Sequence, residues 1–187
     1  MGSILNAALT GCLMLSVCAP AFAAGALSNR RAPGFSLPDS TMKQHDPVDY
    51  RGKILLLEFM QTHCPTCKVQ SGVLEQIKAK YGSKIQILSV VVMPDTMDHV
   101  KAYIKDNNIT SPILFDCGQM TASYLQITPQ NPTVKFPHLF FIDAGGTIRF
   151  DLDSNDAAKG GVTVKSVSAE LDKLLQGTPQ KGTPQKR

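Results

Sequence analysis

The sequence predicts an α/β fold: a central mixed β-sheet with helices on both faces. Three observations carry this. Ile54–Met60 and residues 84–93 are nearly continuous apolar runs, the pattern of strands buried on both faces. Each is followed by a stretch whose apolar residues recur every three to four positions, the helical period. His138–Ile142 is joined to Thr147–Leu152 by Asp143-Ala144-Gly145-Gly146, a hairpin signal. The order β-α-β-α-β-(α)-β-β-α needs helices on both faces to cover strands that are apolar throughout.

The chain has 187 residues, 43% of them hydrophobic and 18% charged. That supports one core and one domain rather than two, and it excludes a disordered polyelectrolyte. No charged side chain precedes Arg30. Residues 4–15 are rich in Ile, Leu, Ala and Met, and Ala21 and Ala23 flank Phe22 as a signal peptidase requires. Residues 1–23 therefore read as a secretory signal peptide, although the basic start of such segments is missing. Two alternatives stand beside it. Leu9-Thr10-Gly11-Cys12 resembles a lipobox that would make Cys12 a lipidated anchor, and residues 4–27 are long enough for an uncleaved span. All three place the domain outside the cytoplasm, in the periplasm or beyond, with membrane contact only through a retained or lipidated N-terminus.

Residues 24–32 read as a linker, and 33–53, with Pro33, Gly34, Pro38, Pro47 and Gly52, as an irregular lead-in. After the strand Ile54–Met60 and a short loop, a helix spans 65–80. Pro65 suits its first turn and Gly82 its end, and Val69, Val73, Leu74, Ile77 and Tyr81 form its apolar face. The β-branched residues of 84–93 make the next strand. Pro94-Asp95-Thr96 breaks it and caps a helix bearing Val100, Tyr103 and Ile104, which ends at Asp106-Asn107-Asn108. Pro112–Phe115 is a short strand, Gln119–Leu125 a helical turn or two, and 163–176 a last helix. The domain thus covers 33–176. Residues 177–187 repeat Gly-Thr-Pro-Gln-Lys and end on Arg187, a basic tail with no apolar face to bury. Without Lys181, Lys186 and Arg187 the chain has 16 basic and 15 acidic residues, so its formal charge of +4 becomes +1. No aromatic–basic pattern suggests nucleic acid.

Five cysteines exclude full pairing within one chain. Cleavage after Ala23 would remove Cys12 and Cys18 and leave Cys64, Cys67 and Cys117 in a compartment where disulfides persist. Cys64-Pro65-Thr66-Cys67 follows a buried strand and opens a helix, the context that makes a C-x-x-C pair a redox candidate. Free N–H groups and the helix dipole stabilise a thiolate at that terminus. Cys64 is placed to attack. Cys67, one turn inward, is placed to resolve the mixed disulfide.

Residues 33–176 resemble the thioredoxin superfamily in its secreted TlpA/ResA-like branch. The resemblance is carried by Ala32-Pro33-Gly34-Phe35-Ser36-Leu37-Pro38-Asp39, by Gly52-Lys53 before an apolar strand, by Phe59 five residues before Cys64, and by Pro137-His138-Leu139-Phe140-Phe141-Ile142-Asp143. It implies a three-layer thioredoxin-like fold and an extracytoplasmic thiol–disulfide oxidoreductase of the protein-disulfide reductase type. Such an enzyme exchanges its dithiol with cysteines of partner proteins, is recycled by a redox partner, and needs no cofactor or metal. Cytochrome c maturation is one task of the family, and no residue here singles it out. The resemblance also implies a cis Pro137 facing the dithiol, with the Phe136 backbone open to a substrate strand. Glu58, six positions before Cys64, matches a buried carboxylate that exchanges a proton with the inner cysteine. As a lone charge in an apolar strand it should be hard to ionise and suited to deprotonate Cys67. His63, Pro65 and Thr66 complete the rim that a partner would meet. His63 stands where the family usually has Trp, and in its cationic form it would favour the Cys64 thiolate. His138 could approach Cys64 or simply start its strand, and His45 and His99 have no evident partner.

Other readings of the same residues remain. Cys117 fits a small buried hydrophobe better than a third redox thiol or an intermolecular link. A zinc site needs four ligands, of which C-x-x-C is half a set. A copper carrier could use Cys64, Cys67 and a histidine. A peroxiredoxin-like peroxidase shares the fold, but neither Cys64 nor Cys67 has the Pro and Thr/Ser arrangement that precedes the peroxidatic cysteine. Pro65-Thr66 does not set the direction of electron flow, and no pattern defines an oligomeric state.

Overall fold

The computed structural model describes residues 25–177. The expected signal segment, 1–23, and all of the expected tail beyond Gly177 lie outside the described residues. Along the chain come β1 (Arg30–Arg31), β2 (Leu37–Pro38), β3 (Gln44–His45), β4 (Ile54–Met60), α1 (Pro65–Tyr81), β5 (Ile85–Val92) and α2 (Met97–Asn107). There follow β6 (Ile113–Asp116), α3 (Gln119–Leu125), β7 (His138–Ile142), β8 (Thr147–Leu152), α4 (Ser154–Ala158) and α5 (Val164–Gly177). Six strands form one sheet in the order β1-β8-β7-β4-β5-β6, and β2 and β3 form a small second sheet. β4, β5 and β6 run parallel, whereas β7 is antiparallel to both β4 and β8. The sheet is therefore mixed, as the apolar runs and the hairpin predict.

All seven residues of β4 are buried, because it is flanked by β5 and β7 and covered on both faces. On one face Leu56 packs with Leu74, Ile77 and Tyr81 of α1 and with Val167 and Leu171 of α5. On the other, Leu57 and Phe59 pack with Met120 and Tyr124 of α3 and with Phe35 and Leu37 of the lead-in. Each fully buried Leu here contributes about 1.5–3 kcal/mol of transfer free energy. A third cluster, around Met60, Val91, Val100 and Tyr103, seats α2 and contains Cys67.

Four local differences from the sequence reading have physical causes. Arg30–Arg31, in the stretch expected as linker, pairs with β8 as an edge strand. The short helix Ser154–Ala158, too short to show a helical period, is started by a capping box between Asp153 and Asp156. Val69 is 67% exposed and does not belong to the buried face of α1. The buried stripe instead runs Cys67, Gln70, Ser71, Leu74, Ile77, Tyr81, so two polar residues occupy positions an apolar face would fill. Cys117 is exposed rather than a buried hydrophobe. Asp116 takes the interior position and accepts from the N–H groups of Met120 and Thr121, and Gly118, at φ +102°, turns the chain so that Cys117 faces outward.

Candidate active site

The strand–loop–helix passage from β4 to α1 presents Cys64 and Cys67. Cys64 is the N-cap of α1, and its sulfur accepts from the Cys67 N–H at 3.2 Å. The Thr66 hydroxyl also lies 3.2 Å from that sulfur. Cys64 and Cys67 are joined as a disulfide, with Cα atoms 5.2 Å apart. Cys64 is partly exposed and Cys67 is fully buried. The outer sulfur can therefore meet a partner, while the inner one reacts only with what Cys64 has already bound.

Glu58 is completely buried in β4 and is held by three side chains. Ser89 Oγ, from the adjacent strand, donates to Oε2 at 2.7 Å. Gln70 Nε2 donates to Oε1 at 3.1 Å and Ser71 Oγ to Oε2 at 3.3 Å. Tyr103 of α2 donates to Ser71 Oγ at 3.1 Å and extends the network. Burial pushes the carboxyl up; the bonds from Ser89, Gln70 and Ser71 pull it back, and nearby Glu75 pushes it up again, leaving it at about 7. Gln70 and Ser71 follow Cys67 by one helical turn, so they share its face of α1. The polar interruption of the α1 stripe thus supplies donors to this carboxylate. Sequence reasoning found Glu58 but not Gln70, Ser71, Ser89 or Tyr103, which are ordinary residue types in their elements.

The Phe136–Pro137 peptide is cis, and Phe136 packs against the same cluster as Cys64 and Cys67. Pro65 and Thr66 are exposed beside the disulfide, and His63 is exposed immediately before it. His138 does not turn to Cys64. It is buried, with Nε2 3.0 Å from Asp151 Oδ2 and its ring stacked on Phe140. His45 and His99 both have partners. His45 bridges Asp39 and Tyr50, and His99 Nδ1 lies 3.8 Å from Asp95. Among the described residues, no group of three or more His, Cys, Asp or Glu side chains is arranged to hold a metal ion.

A cysteine pair opening a helix whose next turn bonds a buried carboxylate, in a mixed sheet and with a cis-proline following Phe136 of the same cluster, defines a thioredoxin-like protein. The chain belongs to the AhpC/TSA family, whose sequence profile matches residues 28–151. It is 25% identical over 150 residues to the thioredoxin-like protein YneN of Bacillus subtilis, covering 79% of this chain and 81% of YneN. It is 24% identical over 155 residues to the thiol-disulfide oxidoreductase ResA of Bacillus cereus, covering 83% of this chain and 78% of ResA. A solved thiol-disulfide oxidoreductase from Bacteroides fragilis superposes with a TM-score of 0.57 at 19% identity, covering 71% of this chain and 96% of that one. That likeness is one of fold.

Proposed function

We propose that this protein is a thiol–disulfide oxidoreductase that exchanges its Cys64–Cys67 pair with cysteines of partner proteins outside the cytoplasm. The observation that carries the reading is the asymmetry of the pair: Cys64 reachable and capped by N–H, Cys67 buried on the α1 face that meets Glu58. In the reducing direction, the Cys64 thiolate attacks a partner disulfide. A mixed disulfide forms and the first partner thiolate leaves. Glu58 takes the Cys67 proton, and the Cys67 thiolate attacks the Cys64 sulfur. The second partner thiolate leaves, so the partner gains two electrons and this chain becomes the disulfide. The same steps reversed oxidise a partner dithiol.

A carboxyl held at about 7 is matched to this work, since it can accept and return a proton near neutral pH. Gln70 can serve both of its states. Its Nε2 donates to the carboxylate, and its Oε1, buried and unpartnered, is an acceptor for the carboxylic acid after an amide half-turn. Pro137, with the Phe136 backbone, is placed to align the partner's chain, and His63, Pro65 and Thr66 form the rim it meets. The location rests on the apolar first 23 residues. Among the described residues, no helix is long and apolar enough to cross a membrane.

Insulin reduction coupled to dithiothreitol tests the chemistry. Cys64→Ser should abolish it, and Cys67→Ser should accumulate mixed disulfides visible on non-reducing gels. Activity retained in Cys64→Ser would refute the mechanism. Fractionation of the producing cell tests the location, and a wholly cytoplasmic chain would refute that.

A further inference from the structure

The loop that delivers Cys64 is fastened from a second side. It is a turn closed by the Cys64 N–H, which donates to the Gln61 carbonyl at 3.2 Å. Thr62 and His63 are its middle residues. The Thr62 N–H donates to Asp95 Oδ2 at 2.9 Å, and its hydroxyl donates to Asp95 Oδ1. Asp95 comes from the turn after β5, where its own N–H donates to the Val92 carbonyl at 3.1 Å. Its side chain is 0% exposed. Two imidazoles stand over it at the solvent edge: His63 Nδ1 and His99 Nδ1 each lie 3.8 Å from Asp95 Oδ1, with side chains 61% and 57% exposed.

A buried carboxylate is costly unless its oxygens are bonded, so its partners show what it is for. Asp95 is not needed to cap α2, because Thr96 does that through the His99 N–H. Its two oxygens are committed to Thr62, two residues before the outer cysteine. We propose that Asp95 is a positioning residue for Cys64: it fixes the turn from Gln61 to Cys64 through Thr62, and with His63 and His99 it sets the charge that the Cys64 thiolate meets at the rim. The inference rests on Cys64 being the attacking thiol. A buried anion beside the turn opposes a second negative charge at Cys64, and the imidazoles in their cationic form offset it. Neutralising Asp95 without changing its shape therefore favours the thiolate, and so the reduced protein. Removing the imidazoles acts in the opposite sense.

The test is the equilibrium of the full chain with reduced and oxidised glutathione at pH 7, alongside thermal unfolding and peptide-resolved alkylation of the reduced chain. Asp95→Asn keeps the volume and an acceptor for the Thr62 N–H. It should shift the equilibrium toward the reduced form by roughly 3- to 10-fold, the scale of one partly screened charge. Repeated at pH 6, where an ordinary imidazole is mostly cationic, the double variant His63→Gln/His99→Gln should shift it toward the disulfide with little change in melting temperature. If Asp95→Asn lowers only the melting temperature and leaves the glutathione equilibrium at the wild-type value, the role is structural and the inference fails. Faster alkylation of Cys67 than of Cys64 in the wild type would instead overturn the underlying assignment of the attacking cysteine.

Discussion

Glu58→Gln should make the protein more stable at pH 8 and less stable, by about 1 kcal/mol, at pH 4.5. The Glu58 carboxyl stands at about 7 in the folded protein against an ordinary value of 4.5. Between those two values the unfolded chain ionises Glu58 while the folded chain keeps it protonated, so the folded state binds more protons and stability falls as pH rises. The contribution is fully present below pH 4.5 and lost once the pH passes about 7. A separation of this size corresponds to about 3 kcal/mol. The amide introduced by Glu58→Gln would not titrate, and its oxygen can still accept from Ser89 and Ser71, which share Oε2, although the bond from Gln70 Nε2 to Oε1 is lost. Such a loss costs about 1 kcal/mol or more. The net gain at pH 8 is therefore about 1–2 kcal/mol, equivalent to roughly 2–8 °C for a domain of this size. Guanidinium unfolding of the oxidised protein at several pH values, wild type and variant side by side, isolates the effect because all other groups cancel in the difference. A difference independent of pH between 4.5 and 8 would refute the account of Glu58. If Glu58 takes the Cys67 proton as proposed, the same variant should also slow release from the mixed disulfide.

The acid limb of stability should depend on Asp39. Burial raises its carboxyl, but hydrogen bonds from His45, the Thr41 side chain and the backbone of Thr41 and Lys43 outweigh that and hold it at about 2. A carboxyl depressed in the fold stabilises it above its ordinary value, and that stability is lost as pH falls through 2. Asp39→Asn should thus cost at most about 2 kcal/mol at pH 5–7, with the loss fading toward pH 2 in the same unfolding assay. Exposed Cys117 should support disulfide-linked dimers under oxidising conditions. Cys117→Ser should remove them on non-reducing gels while insulin reduction stays within twofold of wild type, and a large loss of activity would show that Cys117 takes part in turnover.

The strands and main helices were legible because their causes are local. Continuous apolar runs define β4 and β5, Thr96 and Gly82 mark helix boundaries, and Pro65 opens α1. The dithiol was legible for the same reason: four consecutive residues and their strand–helix setting carry the chemistry. Val69 shows where local reasoning stops. It has the spacing of an apolar face, but the stripe of α1 is rotated so that Gln70 and Ser71 reach Glu58. Spacing reveals a helix's period; which residues face the sheet is decided by what the sheet presents. Cys117 makes the same point, since its exposure follows from Asp116 claiming the interior.

The sequence marks Asp95 only as part of a helix start, because its bond to Thr62 spans 33 positions and exists only once β5 lies beside β4. Parallel pairing of those two strands brings their C-terminal ends together. The loop carrying Cys64 and the turn carrying Asp95 leave the sheet at that shared edge. Glu58 and Ser89 are register partners of the same pairing, so one strand alignment assembles both carboxylate sites. A slip by one residue would turn Glu58 to the opposite face of the sheet, away from Gln70 and Ser71. The register is fixed by the burial of Leu56 and Leu57 on opposite faces, against α1 and α3 respectively. The apolar residues of β4 thus do more than stabilise the fold: by fixing which face each residue occupies, they put one carboxylate against Gln70 and Ser71, one turn along the helix from the inner cysteine, and hold the other against the loop of the outer one.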